Sequence, residues 1–365
     1  MKILIVIDSI GSGGAQRIAA YLAEGLVNKS YQTDIFLYEK QFDFFESDFK
    51  KIKIKIHTPK NFSKNKIFKG INIIKSLRSK VKSYDIIISF MHTPSIYSTI
   101  SMFGIKRGKL ITFELSSSIA PVSYLKRILF YLSCLYSDLV ITNSITETNI
   151  MRKKPGLKHK VKTIWNGYEI ESMKFNLIKN KRKINQLLIV GRIAYPKNGL
   201  NLLKGLKLFH DKNGWLPNVI WAGRKDYDKR SIKMQDEMKK FLENNDDVAN
   251  KFKFIGEVKD INKAYHNSDA LVHPSIYEGL PNVICEAMIF GCCVIASSVC
   301  DHPKILGNKR GILFDPKNPS SISKSIEKFN KMSLQERNKM ATDARLYAEK
   351  NFSLSSMINS FEEIF

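Results

Sequence analysis

Acidic residues are scarce in this sequence. Its 365 residues include 34 Asp and Glu against 59 Lys and Arg, giving a net charge of +25 and a pI near 9.7. The partners favoured by such a balance are polyanions: nucleic acid, anionic lipid or a phosphorylated substrate. Cysteine is scarce too, with five residues and no C-x-x-C pair. That excludes a disulfide scaffold, and Cys134, Cys285, Cys292, Cys293 and Cys300 sit mostly in apolar runs, as expected of reduced thiols in a cytosolic protein. None of the seven histidines has a zinc-ligand spacing, so no metal is expected. Long apolar runs are also missing. The run in "MKILIVID" stops at Asp8, too soon for a signal peptide, and "RILFYLSCLYSDLVI" is broken by Asp138 and too short to span a bilayer.

What is present is regular. With 44% hydrophobic and 11% aromatic residues, the chain can build two cores. Short β-branched runs recur: "KILIVI" (2–7), "DIFLY" (34–38), "IKIKI" (52–56), "DIIISF" (85–90), "KLITF" (109–113), "DLVIT" (138–142) and "KVKTIW" (160–165). Helix-length segments separate most of them, which predicts an α/β unit with a largely parallel sheet over 1–168. Residues 169–185 are polar and lack a period, as a linker would. The alternation resumes over 186–350 with "LLIVG", "NVIWAG", "KFKFIG", "DALVHPS", "CCVIAS" and "GILF", and a helical tail follows, with Ser333 as an N-cap and 351–365 as the last helix. Two α/β units joined once imply a cleft between them.

The segment "PSIYEGLPNVICEAMIFGCCVIA" is apolar yet carries two carboxylates, Glu278 and Glu286. The pattern puts Glu278 in a loop after a strand, where open α/β sheets bind ligands, and Glu286 in the second turn of a helix starting at Pro281 and stopping at Gly291. A carboxylate on so apolar a helix needs a strong partner or an opening to a site. In "GSGGAQR" (11–17), Gly11, Gly13 and Gly14 allow close backbone approach to a ligand before a helix N-terminus. In "VGRIAYPKNG" (190–199), Arg192 and Lys197 flank a loop with Asn198 placed to cap the next helix, an arrangement suited to a diphosphate.

Together, "EGLPN" followed by Glu286 resembles the E-x7-E motif of retaining glycosyltransferases with the GT-B fold, in particular glycosyltransferase family 4. "GSGGAQR", "IWNG" (164–167) and "VGRIAYPKNG" are similar to further family segments in the same order, so the resemblance covers nearly the whole chain. It implies two Rossmann-like domains facing across a cleft, the first for the acceptor and the second for the nucleotide-sugar, with the C-terminal helix crossing back to the first. It also implies a retaining, metal-independent hexosyltransferase without a cofactor, acting on a growing cell-surface glycan such as a lipid-linked polysaccharide, capsule or lipopolysaccharide. By the same resemblance Glu286 holds the ribose hydroxyls, and Glu278 with the backbone of Gly279, Leu280, Pro281 and Asn282 surrounds the sugar. Arg192 and Lys197 meet the diphosphate, while Gly13, Gly14 and Gly223 line the donor path.

Two departures stand out. Where many members have histidine, "LITFELSSS" has Glu114, leaving Glu114 or His92 of "SFMHTPS" to orient the acceptor. "WAGRKDYDK" has Lys225 in place of a second glycine, and its Asp226-x-Asp228 pair, which could hold a divalent cation in another fold, reads as an exposed decoy. A sugar-nucleotide epimerase of the same architecture and a basic nucleic-acid-binding protein are the alternatives. No R-G-F aromatic motif or G-x-x-G clamp supports the latter.

Between Phe49 and Tyr84 the chain has twelve Lys or Arg and no acid. Here "KIFKGINIIKSLRSKV" places Ile67, Ile71, Ile74, Leu77 and Val81 on a face expected to pack on the sheet, with Arg78 within that stripe. Lys66, Lys69, Lys75 and Lys80 point elsewhere. They are expected to adsorb on an anionic membrane, making the protein peripheral at its cytoplasmic face.

Overall fold

The computed structural model describes residues 1–11, 14–39, 54–60, 65–105, 108–115, 122–177, 184–258 and 260–365. The chain divides into two compact units, one of residues 1–168 with 352–365 and the other of residues 169–351.

The first unit is a seven-stranded sheet: β1 (Lys2–Ile7), β2 (Gln32–Leu37), β3 (Lys55–His57), β4 (Ile86–Phe90), β5 (Lys109–Glu114), β6 (Leu139–Thr142) and β7 (Val161–Thr163). Every pairing is parallel, in the order β3-β2-β1-β4-β5-β6-β7. Strands covered on both faces must be apolar throughout, which is why Ile3 to Val6 and Ile86 to Ile88 are buried without alternation. Residues 52–53 of the expected third strand lie outside the described residues.

The second unit repeats the plan with β8 (Gln186–Val190), β9 (Asn218–Ala222), β10 (Phe252–Gly256), β11 (Ala270–His273), β12 (Cys293–Ser297) and β13 (Ile312–Phe314) in the order β10-β9-β8-β11-β12-β13. Again all pairs are parallel. Both sheets therefore reverse strand order at one point, between β1 and β4 and between β8 and β11, and loops after those strands flank the crevice where such sheets bind ligands.

Of the tail, Leu334–Phe352 is a helix whose Ser333 forms a reciprocal cap with Glu336: Ser333 N donates to Glu336 Oε2 at 2.7 Å and Glu336 N to Ser333 Oγ at 3.2 Å. The chain then re-enters the first unit. Leu354 N donates to Tyr168 O, and Met357, Ile358 and Phe361 of helix Leu354–Glu362 join the core formed by Ile3, Ile5 and Ile7. Gly167 is required there, since a Cβ would lie 2.8 Å from that of Met357. Residues 169–177 belong to the second unit, where Arg345 donates to the carbonyls of Met173 and Ile289.

The helix Lys66–Val81 is turned otherwise than its sequence suggests. Its buried residues are Ile73, Leu77 and Val81, while Ile67 and Ile71 are 73% and 41% exposed. The reason is the neighbouring helix His92–Met102: Tyr97 Oη lies beside Gly70, and Arg78 donates to the Ser101 and Phe103 carbonyls at 3.0 and 2.8 Å. The arginine that interrupted the apolar stripe ties the two helices together. Lys69 is not a free cation either, since it pairs with Glu39 at 2.6 Å.

Candidate active site

In the second unit, the loops leaving β8 and β11 bring predicted residues together. Val190 is followed by Gly191, a tight turn over Tyr195–Lys197 and the helix Gly199–Asn213. Ile276 N donates to Pro196 O, joining this loop to the one after β11. Lys197 Nζ then lies 2.5 Å from Glu278 Oε1, with each side chain more than four-fifths buried. The same oxygen accepts from Ser275 Oγ at 2.7 Å and lies 3.3 Å from His273 Nε2. Burial disfavours the Glu278 charge, but Lys197 and His273 outweigh it and hold the carboxyl well below the usual carboxylate range. Burial, then Lys197, lowers the pKa of His273. His302 packs its ring on that of His273 at 5.3 Å, donates from Nδ1 to Ser297 O at 2.8 Å, and is pushed down to about 3 by burial and by His273. The outcome is an ionised Glu278 fixed by a cation, a hydroxyl and a neutral imidazole.

Gly279, Leu280 and Pro281 lead into helix Asn282–Phe290, with Pro281 one residue before its start and Gly291 ending it at φ +77°. Glu286 is buried and accepts from Tyr265 Oη at 3.0 Å; the Tyr265 ring stacks on Phe290. Gly223 follows β9 at φ +152°, where any Cβ would strike Gly191 O. The two strand ends approach that closely because Gly191 N donates to Ala222 O and Trp221 Nε1 to Gly191 O.

Asn198 differs from expectation. It sits at the N-cap position with φ +55°, and its side chain makes no cap hydrogen bond. Its amide instead donates to Pro274 O and Pro316 O at 3.1 and 2.8 Å, because left-handed backbone turns it from the helix toward the β11 loop. Arg192 is largely exposed and pairs with Asp226 at 2.6 Å, and Asp228 caps helix Lys229–Glu243 by accepting from Arg230 N and Ser231 N. Both carboxylates of the D-x-D pair are thus engaged in structure.

In the first unit, Gly14 begins helix Gly14–Asn28, and Gly13 lies outside the described residues. The two alternative acceptor residues prove to be partners: His92 Nε2 is 3.0 Å from Glu114 Oε2. Glu114 ends β5 and His92 opens the helix after the adjacent β4. Between strand and helix stands Met91 at φ +70° and ψ 179°, a region L-residues seldom occupy, held by its N–H donating to Phe113 O at 2.7 Å. Phe130 covers the His92 ring at 4.2 Å. Burial, then Lys126, Lys154 and Arg127, lowers the pKa of His92 to about 4, leaving a neutral ring beside the carboxylate.

Two family models divide the sequence. Glycosyltransferase Family 4 matches residues 12–172 and Glycosyl transferases group 1 matches residues 170–347. The chain is a GT-B glycosyltransferase of family 4. Among its relatives, the capsular polysaccharide biosynthesis glycosyltransferase CapH of Staphylococcus aureus is 27% identical over 46% of this chain and 45% of that protein. A Campylobacter jejuni enzyme is 24% identical over 90% of this chain and 88% of its own. It is the GalNAc-alpha-(1->4)-GalNAc-alpha-(1->3)-diNAcBac-PP-undecaprenol alpha-1,4-N-acetyl-D-galactosaminyltransferase. Anabaena HepE, solved with UDP and glucose, superposes with a TM-score of 0.81 at 19% identity, covering 100% of this glycosyltransferase and 99% of HepE.

Sequence reasoning missed His273, Ser275, Tyr265 and His302 as supports of the two glutamates. The histidine ending "DALVH" was a signal, being the only polar group after three apolar strand residues.

Proposed function

We propose that this glycosyltransferase is a retaining, metal-independent hexosyltransferase that moves a sugar from a nucleoside diphosphate to a growing cell-surface glycan carried on lipid. The Lys197–Glu278 pair is the observation that carries the reading. It supplies a cation for the diphosphate and a charged acceptor for sugar hydroxyls, at one switch point. Glu286 takes the ribose diol, and the amides between the two glutamates follow the sugar. Arg192 and Lys197 stabilise the negative charge that develops as the bond from the anomeric carbon to the diphosphate oxygen breaks. An acceptor hydroxyl forms the new bond on the same face and gives its proton to the leaving phosphate. His92 and Glu114 orient the acceptor. The names of the polysaccharide relatives and the UDP seen in HepE support donor and acceptor class. The basic surface suits an anionic membrane face on the cytoplasmic side, where lipid-linked acceptors meet nucleotide sugars.

The test is UDP release from UDP-hexoses with lipid-diphosphate-linked acceptors, in EDTA, with product anomers assigned by NMR. Retained configuration is expected. An inverted product, or an isomerised donor with no transfer, would replace this reading.

A further inference from the structure

Behind Glu278 stands an imidazole with no hydrogen bond of its own. His273 ends β11 and is fully buried, yet neither Nδ1 nor Nε2 makes a hydrogen bond among the described residues. Nε2 lies 3.3 Å from Glu278 Oε1, but that oxygen is already taken by Lys197 Nζ at 2.5 Å and by Ser275 Oγ at 2.7 Å. A carboxylate oxygen has two in-plane lone pairs, so a third donor is held off. Leaving both nitrogens of a buried ring unpaired is costly, and such a group calls for a state of the protein in which it is used. His302 packs on the His273 ring at 5.3 Å between centroids, but its Nδ1 is committed to Ser297 O, so it does not serve as the partner.

Lys197 is the movable member of the group. Its stem runs past Gly191, where a Cβ would stand 3.0 Å from Lys197 Cε, and its ammonium ends a flexible four-carbon chain that can turn to another anion. In the function proposed above, on which this inference rests, that anion is the donor's diphosphate. Once the ammonium turns, Glu278 keeps its charge in a buried place and loses its counter-ion, a loss that proteins meet by moving a proton. We propose that donor binding draws Lys197 from Glu278 to the diphosphate, and that His273 then takes a proton from solvent at Nε2 and donates it in a hydrogen bond to Glu278 Oε1. The ion pair Lys197–Glu278 becomes the ion pair His273–Glu278, so the sugar still meets an ionised carboxylate. The proton returns to solvent when the nucleoside diphosphate leaves. The charges around the ring agree: burial and Lys197 lower the His273 pKa while Glu278 raises it, so departure of Lys197 leaves Glu278 opposed by burial alone. The other titratable groups on this side are His302, whose ring faces His273, Cys300, whose Sγ accepts from Glu278 N at 3.3 Å, and Asp301, which faces Lys304 at 3.8 Å. His273 is thus a positioning residue that acts through Glu278.

Calorimetric titration of the full chain with UDP-glucose and with UDP-N-acetylgalactosamine, in buffers of equal pH and different ionisation enthalpy, counts the protons that accompany binding. Neither nucleotide sugar has a phosphate that titrates near neutrality, so any uptake belongs to the protein. Uptake near neutral pH should approach about one proton per donor bound, and Kd should rise with pH by up to about tenfold per unit. His273→Gln should bind with no uptake and with a Kd indifferent to pH, whereas His302→Gln should keep the uptake. In the wild-type chain labelled at histidine, the NMR signals of one imidazole should pass to the imidazolium form on addition of the same nucleotide sugar, a measurement that needs no variant. Binding without uptake, or with every imidazole unchanged, overturns the exchange of counter-ions and leaves the donor assignment standing. Uptake that persists in His273→Gln, or that vanishes in His302→Gln alone, puts the proton on another group and likewise overturns it. Binding of neither nucleotide sugar overturns the donor assignment and this inference with it.

Discussion

Lys197 Nζ and Glu278 Oε1 lie 2.5 Å apart, on loops that leave two neighbouring strands eighty-one positions apart in sequence. Each is the other's counter-ion in a mostly buried setting, so neither can be removed without stranding a charge. Glu278→Ala should lower turnover by about a hundredfold and stability by about 3 kcal/mol. Lys197→Met combined with Glu278→Leu should recover the stability and none of the turnover. Urea melts and UDP release check both. Near-normal turnover in the folded single variant would remove Glu278 from the reaction.

Arg192 is bonded to Asp226 but largely exposed, so its loss should cost under about 1 kcal/mol of stability. Its predicted contact is with diphosphate, and Arg192→Ala should raise the UDP inhibition constant about tenfold. Asp228→Ala should cost about 1 kcal/mol through the lost helix cap and leave turnover in EDTA unchanged. A requirement for manganese that disappears in this variant would restore the pair as a metal site.

Glu114→Gln keeps the shape of the side chain and removes its charge beside His92. Transfer should slow with the KM for the donor unchanged and that for the acceptor raised, since the pair belongs to the first unit. A change confined to donor KM would contradict the assignment.

Stability should depend on acid through His92 and His302, whose pKa values are lowered to about 4 and about 3. In the unfolded chain both titrate near 6.5, so the unfolded state binds more protons below that pH. Stability is therefore full above about 6.5 and lost as pH falls toward 4 and then 3. Denaturant midpoints measured from pH 7 to pH 4 should show the decline, and His302→Gln should flatten it.

The central strands among the described residues could be read from β-branched runs because parallel strands buried on both faces tolerate little else, whereas the edge strand Phe252–Gly256 is exposed over four of its five residues and was legible from its aromatics and flanking glycine. The helix orientation of Lys66–Val81 could not, because its stripe has two apolar faces and only the neighbouring Gly70 and Arg78 contacts decide which is buried. Glu278 and Glu286 were conspicuous as acids in an apolar segment, and Glu114 and His92 as loop residues after strands. That the last two form one pair needed the adjacency of β4 and β5, which is set by sheet order and is silent in local sequence. Asn198 misled for a related reason. Its type fits an N-cap, but its left-handed backbone serves two carbonyls from distant loops.

The helix Leu354–Glu362 gives the first unit part of its core, although residues 169–351 intervene. Synthesis at about 5–20 residues per second separates Tyr168 from Phe365 by roughly 10 to 40 s. During that interval Ile3, Ile5 and Ile7 have no Phe361 to cover them, and the second unit is complete at Asn351, before Phe361 is made. The order of folding on the ribosome is thereby inverted: the part made later can finish first, and the earlier part must be sheltered until the chain returns to it.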